Sequence, residues 1–262
     1  MELRSLGVDT GIEVSPLGLG TVKFGRNQQV KYPRPFAIPD DAAVRGLLAL
    51  AADLGINLID TAPAYGSSEE RLGHLLPGPR DRWVIVTKVG ESFENGRSHF
   101  DFSAAATRAS VERSLCRLRT DYLDAVLIHS DGDDLRILEH EPVVETLLRL
   151  KEEGLIRACG LSGKTVAGGL RALETCDLVM ATCNLEYDEE RPVFEAAACA
   201  GKGVLVKKGL QSGHVPGAGG VEAAMRHIFD QPGVSSVIVG TINPGHLREN
   251  VAIAEAVLGQ GA

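Results

Sequence analysis

A chain of 262 residues, 44% of them hydrophobic, can bury a substantial core and has the length of one large α/β domain. A formal net charge of −8 without any Lys/Arg run excludes a nucleic-acid or anionic-membrane surface. Met1-Glu2-Leu3-Arg4-Ser5 lacks the apolar stretch of a secretion signal, no apolar run reaches bilayer length, and the five cysteines show no CxxC spacing, so a cytoplasmic protein with reduced core thiols is expected.

From Leu3 to Val14, short apolar runs flank Val8-Asp9-Thr10-Gly11, which predicts an N-terminal β-hairpin turning at Asp-Thr-Gly. Short apolar runs then alternate with helical patterns. The predicted strands are Leu17–Thr21, Asn57–Thr61, Trp83–Lys88, Leu123–His129, Ile156–Ser162, Leu178–Asn184, Gly203–Lys208 and Ser236–Thr241. Most are apolar on both faces, as buried parallel strands are. Helices are predicted over Asp40–Leu54, from about Glu69 with Ser67 or Ser68 as its cap, and over Ser103–Leu118, Pro142–Glu153, Lys164–Leu173, Arg191–Ala200, Val221–Asp230 and Pro244–Val257. Eight such alternations predict a (β/α)8 TIM barrel with an N-terminal β-hairpin, one domain over residues 1–262. A doubly wound sheet fits less well, because Gly18-Leu19-Gly20-Thr21 runs into a polar loop from Gly25 to Ile38 where a dinucleotide fingerprint needs a helix.

Barrel enzymes draw their chemistry from the C-terminal ends of the strands. Polar residues fall at nearly every such end here: Thr21, Asp60, Lys88, His129, Ser162, Asn184, Lys207 or Lys208, and Thr241. A buried lysine at Lys88 is costly unless paired, and Asp60 on the neighbouring strand is the natural partner. Tyr65 follows in the next loop. A free phenol ionises near pH 10, and an ammonium beside it favours the phenolate, so Lys88 is expected to lower the pKa of Tyr65. His129, neutral and donating, would then orient a carbonyl oxygen beside Tyr65. The carbon of that carbonyl needs a hydride, which no side chain supplies and a nicotinamide does.

The run Asp60-Thr61-Ala62-Pro63-Ala64-Tyr65-Gly66-Ser67-Ser68-Glu69, with Thr87-Lys88 and Leu127-Ile128-His129, resembles the catalytic tetrad of the aldo-keto reductase superfamily. Val239-Gly240-Thr241-Ile242-Asn243-Pro244-Gly245-His246-Leu247-Arg248-Glu249-Asn250 is similar to that family's cofactor-phosphate segment. The resemblance, from Leu17 to about Val251, implies reduction of aldehydes or ketones, with Tyr65 as proton donor, Asp60 and Lys88 as its tuners and His129 orienting a small carbonyl substrate. It implies NADP(H) in preference to NAD(H), held without a Rossmann domain by Gly20, Thr21, Asp60, Ser162, Gly163, Met180, Lys207, Lys208, Gly240, Thr241, His246, Arg248, Glu249 and Asn250. It further implies a monomer or small homo-oligomer.

Several positions depart from the family pattern. Ser162-Gly163 stands where Ser-Asn holds the nicotinamide amide, Met180 replaces a glutamine, and Lys207 replaces an aromatic that stacks on the ring. Gly240 and His246 align with the Lys and Arg of strongly NADPH-preferring members. Only Gln211–Gly220 links the seventh strand to its helix, and the chain stops soon after the last one, so an open site is expected. Its substrate contacts would come from Phe24, the Arg26–Phe36 loop and the Glu91–Phe102 loop. A non-catalytic nicotinamide sensor on the same barrel is the alternative. Ala158–Thr165 falls short of a Walker A loop, Gly160–Gly163 of a nucleophile elbow, and Asp131–Asp134 of a calcium loop, this last reading as a solvated turn that starts a helix. The seven histidines form no metal-ligand pattern.

Overall fold

Eight parallel strands close into a barrel in a computed structural model that describes residues 1–215 and 217–260. The strands are β1 (Leu17–Gly20), β2 (Leu58–Asp60), β3 (Val84–Val89), β4 (Leu123–His129), β5 (Ile156–Ser162), β6 (Leu178–Thr182), β7 (Gly203–Lys207) and β8 (Val234–Val239). They follow one another round the ring in chain order, and β8 pairs with β1 to close it. Most strand ends fall within one residue of those predicted, and two C-terminal ends stop two residues early. Asn184 leaves the sheet to bridge Tyr187, and Thr241 turns the chain toward the last helix by accepting the Asn243 N–H.

Side chains on a strand alternate between its faces, and the alternation separates two cores. Leu58, Val84, Val86, Ala125, Leu127, Ala158, Leu178, Met180 and Leu205 fill the barrel. Leu6, Ile12 and Val14 join them, because the antiparallel hairpin Arg4–Ser5 with Glu13–Val14 plugs the end where the strands begin. The other parity, including Ile59, Ile85, Val126, Ile128, Leu161, Val179 and Val206, is buried beneath the helices.

Those helices are α1 (Asp41–Asp53), α2 (Ser68–Leu75), α3 (Ala104–Leu118), α4 (Asp134–His140), α5 (Val143–Glu152), α6 (Val166–Ala172), α7 (Arg191–Cys199), α8 (Gly217–Phe229) and α9 (Pro244–Gly259). Asp40 and Ser103 cap α1 and α3 by accepting the amide protons of Ala43 and Ala106. The predicted serine cap of α2 does not form. Ser67 makes no capping bond, and Ser68 turns inward to donate to Thr21 Oγ1 at 2.7 Å and lies 3.1 Å from Thr61 Oγ1. Cys116 and Cys199 are exposed, against the expectation of core thiols, while Cys159, Cys176 and Cys183 are buried. Pro216, within the predicted Gln211–Gly220 connection, lies outside the described residues. Among the described residues no helix is long and apolar enough to cross a membrane.

The predicted Glu91–Phe102 loop is a second hairpin, Glu91–Glu94 paired antiparallel with Arg97–Phe100. Asn95 and Gly96 both have positive φ at its tip, the conformation Asn-Gly turns favour. Gly90 turns β3 into this hairpin at φ +97°, and a Cβ there would come within 2.3 Å of the Phe102 ring. Gly90→Ala is therefore expected to cost about 1–3 kcal/mol of stability from backbone strain, measured by urea denaturation. An unchanged midpoint would mean that the hairpin is not held at this corner.

Candidate active site

Asp60, Lys88 and His129 share the inward parity of Leu58, Val86 and Leu127, so the alternation that fills the barrel also aims them at its open mouth. Strand register sets them side by side, with Asp60 opposite Val86, Lys88 opposite Leu127 and His129 opposite Ser162. Tyr65 ends the 3-10 turn Pro63–Tyr65 that follows β2. Lys88 Nζ donates to Asp60 Oδ1 at 2.5 Å and to the Thr61 carbonyl at 2.8 Å, both side chains almost wholly buried. The same ammonium lies 4.9 Å from the centroid of the Tyr65 ring. The His129 ring meets Tyr65 edge-on, with centroids 6.5 Å apart.

Electrostatics revises the expected titrations. Burial alone would push the Lys88 pKa down, but Asp60 and Tyr65 outweigh it and hold the ammonium above its ordinary value. Burial dominates at Tyr65. It holds the phenol above its ordinary value of 10, Lys88 pulling down and Asp60 pushing up, so the expected net lowering is corrected. Burial likewise lowers the His129 pKa, with Glu91 opposing. His129 Nδ1 lies 2.7 Å from Glu91 Oε2, a close contact bent away from a straight hydrogen bond. Burial would raise the Glu91 pKa, yet His129, Ser98 and Arg26 together bring it down to about 2.

Ser162, Met180 and Lys207 face inward on the next strands. Lys207 Nζ donates to Ser162 Oγ at 3.2 Å and to the Gly163 carbonyl, and Ser162 Oγ lies 3.6 Å from Met180 Sδ. Burial is the largest cause holding the Lys207 pKa down at about 8, with Glu190 opposing. Lys208 falls on the opposite parity, at φ +56°, and is exposed. Gly20 ends β1 beside Gly240. Thr21 is wholly buried, its hydroxyl donating to the Asp60 carbonyl at 2.9 Å and accepting from Ser68. Thr241 and Asn250 are buried, while His246, Arg248 and Glu249 are exposed on the first turns of α9, where Asn243 Oδ1 accepts the Gly245 and His246 amide protons. A helix start with an exposed Arg and His is chemically suited to a phosphate, and a Ser–Lys pair to an amide oxygen. The residues at both ends of the mouth thus fit a dinucleotide.

Two expectations about the entrance are corrected. Phe24 has no exposed surface and belongs to the core beneath the helices, so it does not line the site. Nor is the mouth simply open. The Arg26–Phe36 loop crosses it: Lys23 Nζ sits 3.8 Å from the Tyr32 ring centroid, Tyr32 Oη would be 2.9 Å from a Cβ at Gly240, and Pro33 reaches Gly213 in the connection after β7. Arg26 stacks 3.5 Å over Phe93 and donates to the Ala64 carbonyl, so this loop and the second hairpin together wall a cleft of about 410 Å³.

Tyr32 and Glu91 lie in the two loops expected to supply substrate contacts, but sequence reasoning singled out neither of them, nor Asp134. Asn95-Gly96 is a hairpin signal that would have placed Glu91 on a strand rather than a loop. No spacing announces its pairing with His129. Asp134 is buried rather than part of a solvated turn: its Oδ2 accepts the Lys164 and Thr165 amide protons, each at 2.8 Å. In the Walker-like segment two backbone donors, those of Lys164 and Thr165, are therefore already occupied by a carboxylate. Among the described residues no cluster of His, Cys, Asp and Glu is placed to hold a metal ion.

Comparison with known proteins bears on the family and the fold. Residues 16–220 match the model of the Aldo/keto reductase family. The crystal structure of a putative aldo-keto reductase from Pseudomonas aeruginosa is 61% identical, aligned over 98% of this chain and 96% of that one with a TM-score of 0.90. An aldo-keto reductase from Bacillus halodurans, solved in its holo form, is 25% identical over 97% of this chain and 91% of that one, with a TM-score of 0.81. Among curated proteins, L-galactose dehydrogenase of Arabidopsis thaliana is 29% identical over 96% of this chain and 88% of its own length.

Proposed function

The chain belongs to the aldo/keto reductase family, a family of oxidoreductases that use nicotinamide cofactors, and on that premise we propose that it reduces a small aldehyde or ketone to the alcohol with NADP(H). The observation that carries this reading is the buried Lys88–Asp60 pair beneath Tyr65. Two charges inside a barrel are expensive to desolvate, and neither adds to packing that an apolar pair could not supply. Their use is to hold a positive charge against a phenol.

Tyr65, a phenol neutral near pH 7 and held so further into alkali by burial, donates its proton to the substrate oxygen as negative charge develops there. Lys88 uses two of its three N–H groups on Asp60 and Thr61. Its charge favours the phenolate left behind. His129 adjoins the same oxygen from β4. Gly20, Ser162, Gly163 and Lys207 on the barrel rim, with His246, Arg248, Glu249 and Asn250 at the start of α9, would hold the cofactor, which supplies the hydride when bound. Thr21, Met180 and Thr241 support this surface from behind, and Gly240 leaves room beside Tyr32, whereas Lys208, exposed just past β7, stands apart from it.

Titrating the protein with NADPH and NADH, following cofactor fluorescence, tests both parts of this reading. NADPH is expected to bind more tightly, through His246 and Arg248, and the bound signal to decay when a reactive aldehyde is added. Tight binding with no aldehyde-dependent decay would make the protein a sensor rather than a reductase.

A further inference from the structure

The reaction as proposed gives Glu91 no part, yet its carboxylate is among the most firmly placed groups at the barrel mouth. Oε2 lies 2.7 Å from His129 Nδ1. Oε1 accepts from Ser98 Oγ at 2.5 Å and stands 3.9 Å from Arg26 Nη1. The second hairpin, the loop after β1 and the end of β4 all converge on it. An ionised carboxylate only accepts hydrogen bonds, so the ring nitrogen facing it carries a proton. A neutral imidazole has a single N–H, and its other nitrogen is then a lone-pair acceptor. Nδ1 is sealed from solvent and faces Glu91 at 2.7 Å in a bent contact, so the 23% of the His129 side chain that stays exposed at the mouth belongs to the rest of the ring, on the side of Nε2.

We propose that Glu91 is a positioning residue that holds neutral His129 in its Nδ1–H form and thereby presents an acceptor, Nε2, to the reacting oxygen. This rests on the reading of Tyr65 and His129 as the groups around that oxygen, and it reverses the donor role expected of a neutral His129. A hydroxyl donates and a carbonyl oxygen only accepts. Neutral His129 therefore matches the alcohol, and the imidazolium, with N–H at both nitrogens, matches the carbonyl. In reduction the carbon gains hydride from the reduced nicotinamide and the oxygen gains the Tyr65 proton. The O–H so formed then donates to Nε2.

The charges around His129 decide where it takes its second proton. Glu91 favours protonation, Lys88 and Lys207 oppose it, Tyr65 stands edge-on, and Arg26 lies behind Glu91. Carbonyl reduction should gain as the pH falls and His129 becomes charged, and alcohol oxidation as the pH rises. Replacing the Glu91 charge removes the group that favours the imidazolium, so the acid-side gain moves to lower pH.

Two measurements on the full chain test this. In ¹⁵N NMR of histidine-labelled protein, with His129→Gln to assign the signal, the wild type should show the Nδ1–H tautomer and Glu91→Leu should lose that preference. In kcat/KM for carbonyl reduction, Glu91→Gln should move the acid limb down by about one pH unit, a tenfold loss at fixed pH on that limb, with NADPH affinity held within about twofold. An Nε2–H tautomer in the wild type, or an unmoved limb in Glu91→Gln, overturns the proposal. A wild type that turns over no carbonyl compound overturns the reductase reading instead, and the tautomer measurement still decides this one.

Discussion

Tyr65→Phe is expected to lower kcat for carbonyl reduction by about 10²–10⁴-fold, the usual worth of a positioned general acid, with cofactor affinity unchanged. The substitution removes one oxygen and keeps the ring, so the face toward the Lys88 ammonium and the edge toward His129 survive. Loss of rate would then report loss of the proton and not a collapse of the mouth. The pH dependence follows from the direction of the shift. A phenol held above its ordinary value of 10 by burial stays protonated through the neutral range, so its loss as a donor belongs to alkaline pH. Any acid-side limb must come from another group, and His129, which burial holds below its ordinary value, is the candidate. Steady-state rates and a fluorescence titration on the same preparation check the prediction; turnover in Tyr65→Phe equal to wild type would remove Tyr65 from the mechanism.

How far the site could be read in advance depended on what each residue answers to. Strand parity is written in the chain: once Leu58, Val86 and Leu127 face the barrel axis, Asp60, Lys88 and His129 must follow them. The pairing of Lys88 with Asp60 was legible for the same reason, because a buried ammonium on β3 has few partners within reach. Side-chain contacts made by loops were not. Tyr32 is placed by where the Arg26–Phe36 loop crosses, and Glu91 by the corner at Gly90, and neither follows from periodicity. Ser68 shows the opposite failure. Its sequence context reads as a helix cap, but a buried hydroxyl between β1 and β2 finds better partners in Thr21 and Thr61. The sign of the Tyr65 shift was missed for a physical reason as well: a charge partner can be read from sequence, whereas the depth of burial that outweighs it cannot.

The buried pair itself yields the second large effect, and it separates stability from chemistry. Lys88→Met leaves Asp60 without its partner inside the barrel, and Asp60→Asn leaves the Lys88 charge uncompensated; each is expected to cost about 3–5 kcal/mol of stability. The double variant Asp60→Asn, Lys88→Met carries no unpaired charge and should recover most of that loss, because replacing a whole buried pair by uncharged groups is often near neutral. Its reductase activity should stay as low as that of Lys88→Met, since the phenol has lost the ammonium that favours its anion. Urea denaturation of the four proteins, read beside their kcat values, makes the comparison. If the double variant regained activity along with stability, the pair would be scaffolding and not part of proton delivery. The pH dependence of this stability has a definite sign. The folded-state pKa of Lys88 is raised, so its contribution is fully present below the ordinary lysine value and is lost only as the pH climbs through the raised one. Glu91 behaves in the opposite sense: its contribution is present above its ordinary value of 4.5 and fades as the pH falls toward about 2. Between these limits both devices at the mouth are charged as the proposed chemistry requires, which leaves two titrating neighbours: Lys207, held down at about 8, and His129, held by burial below its ordinary value.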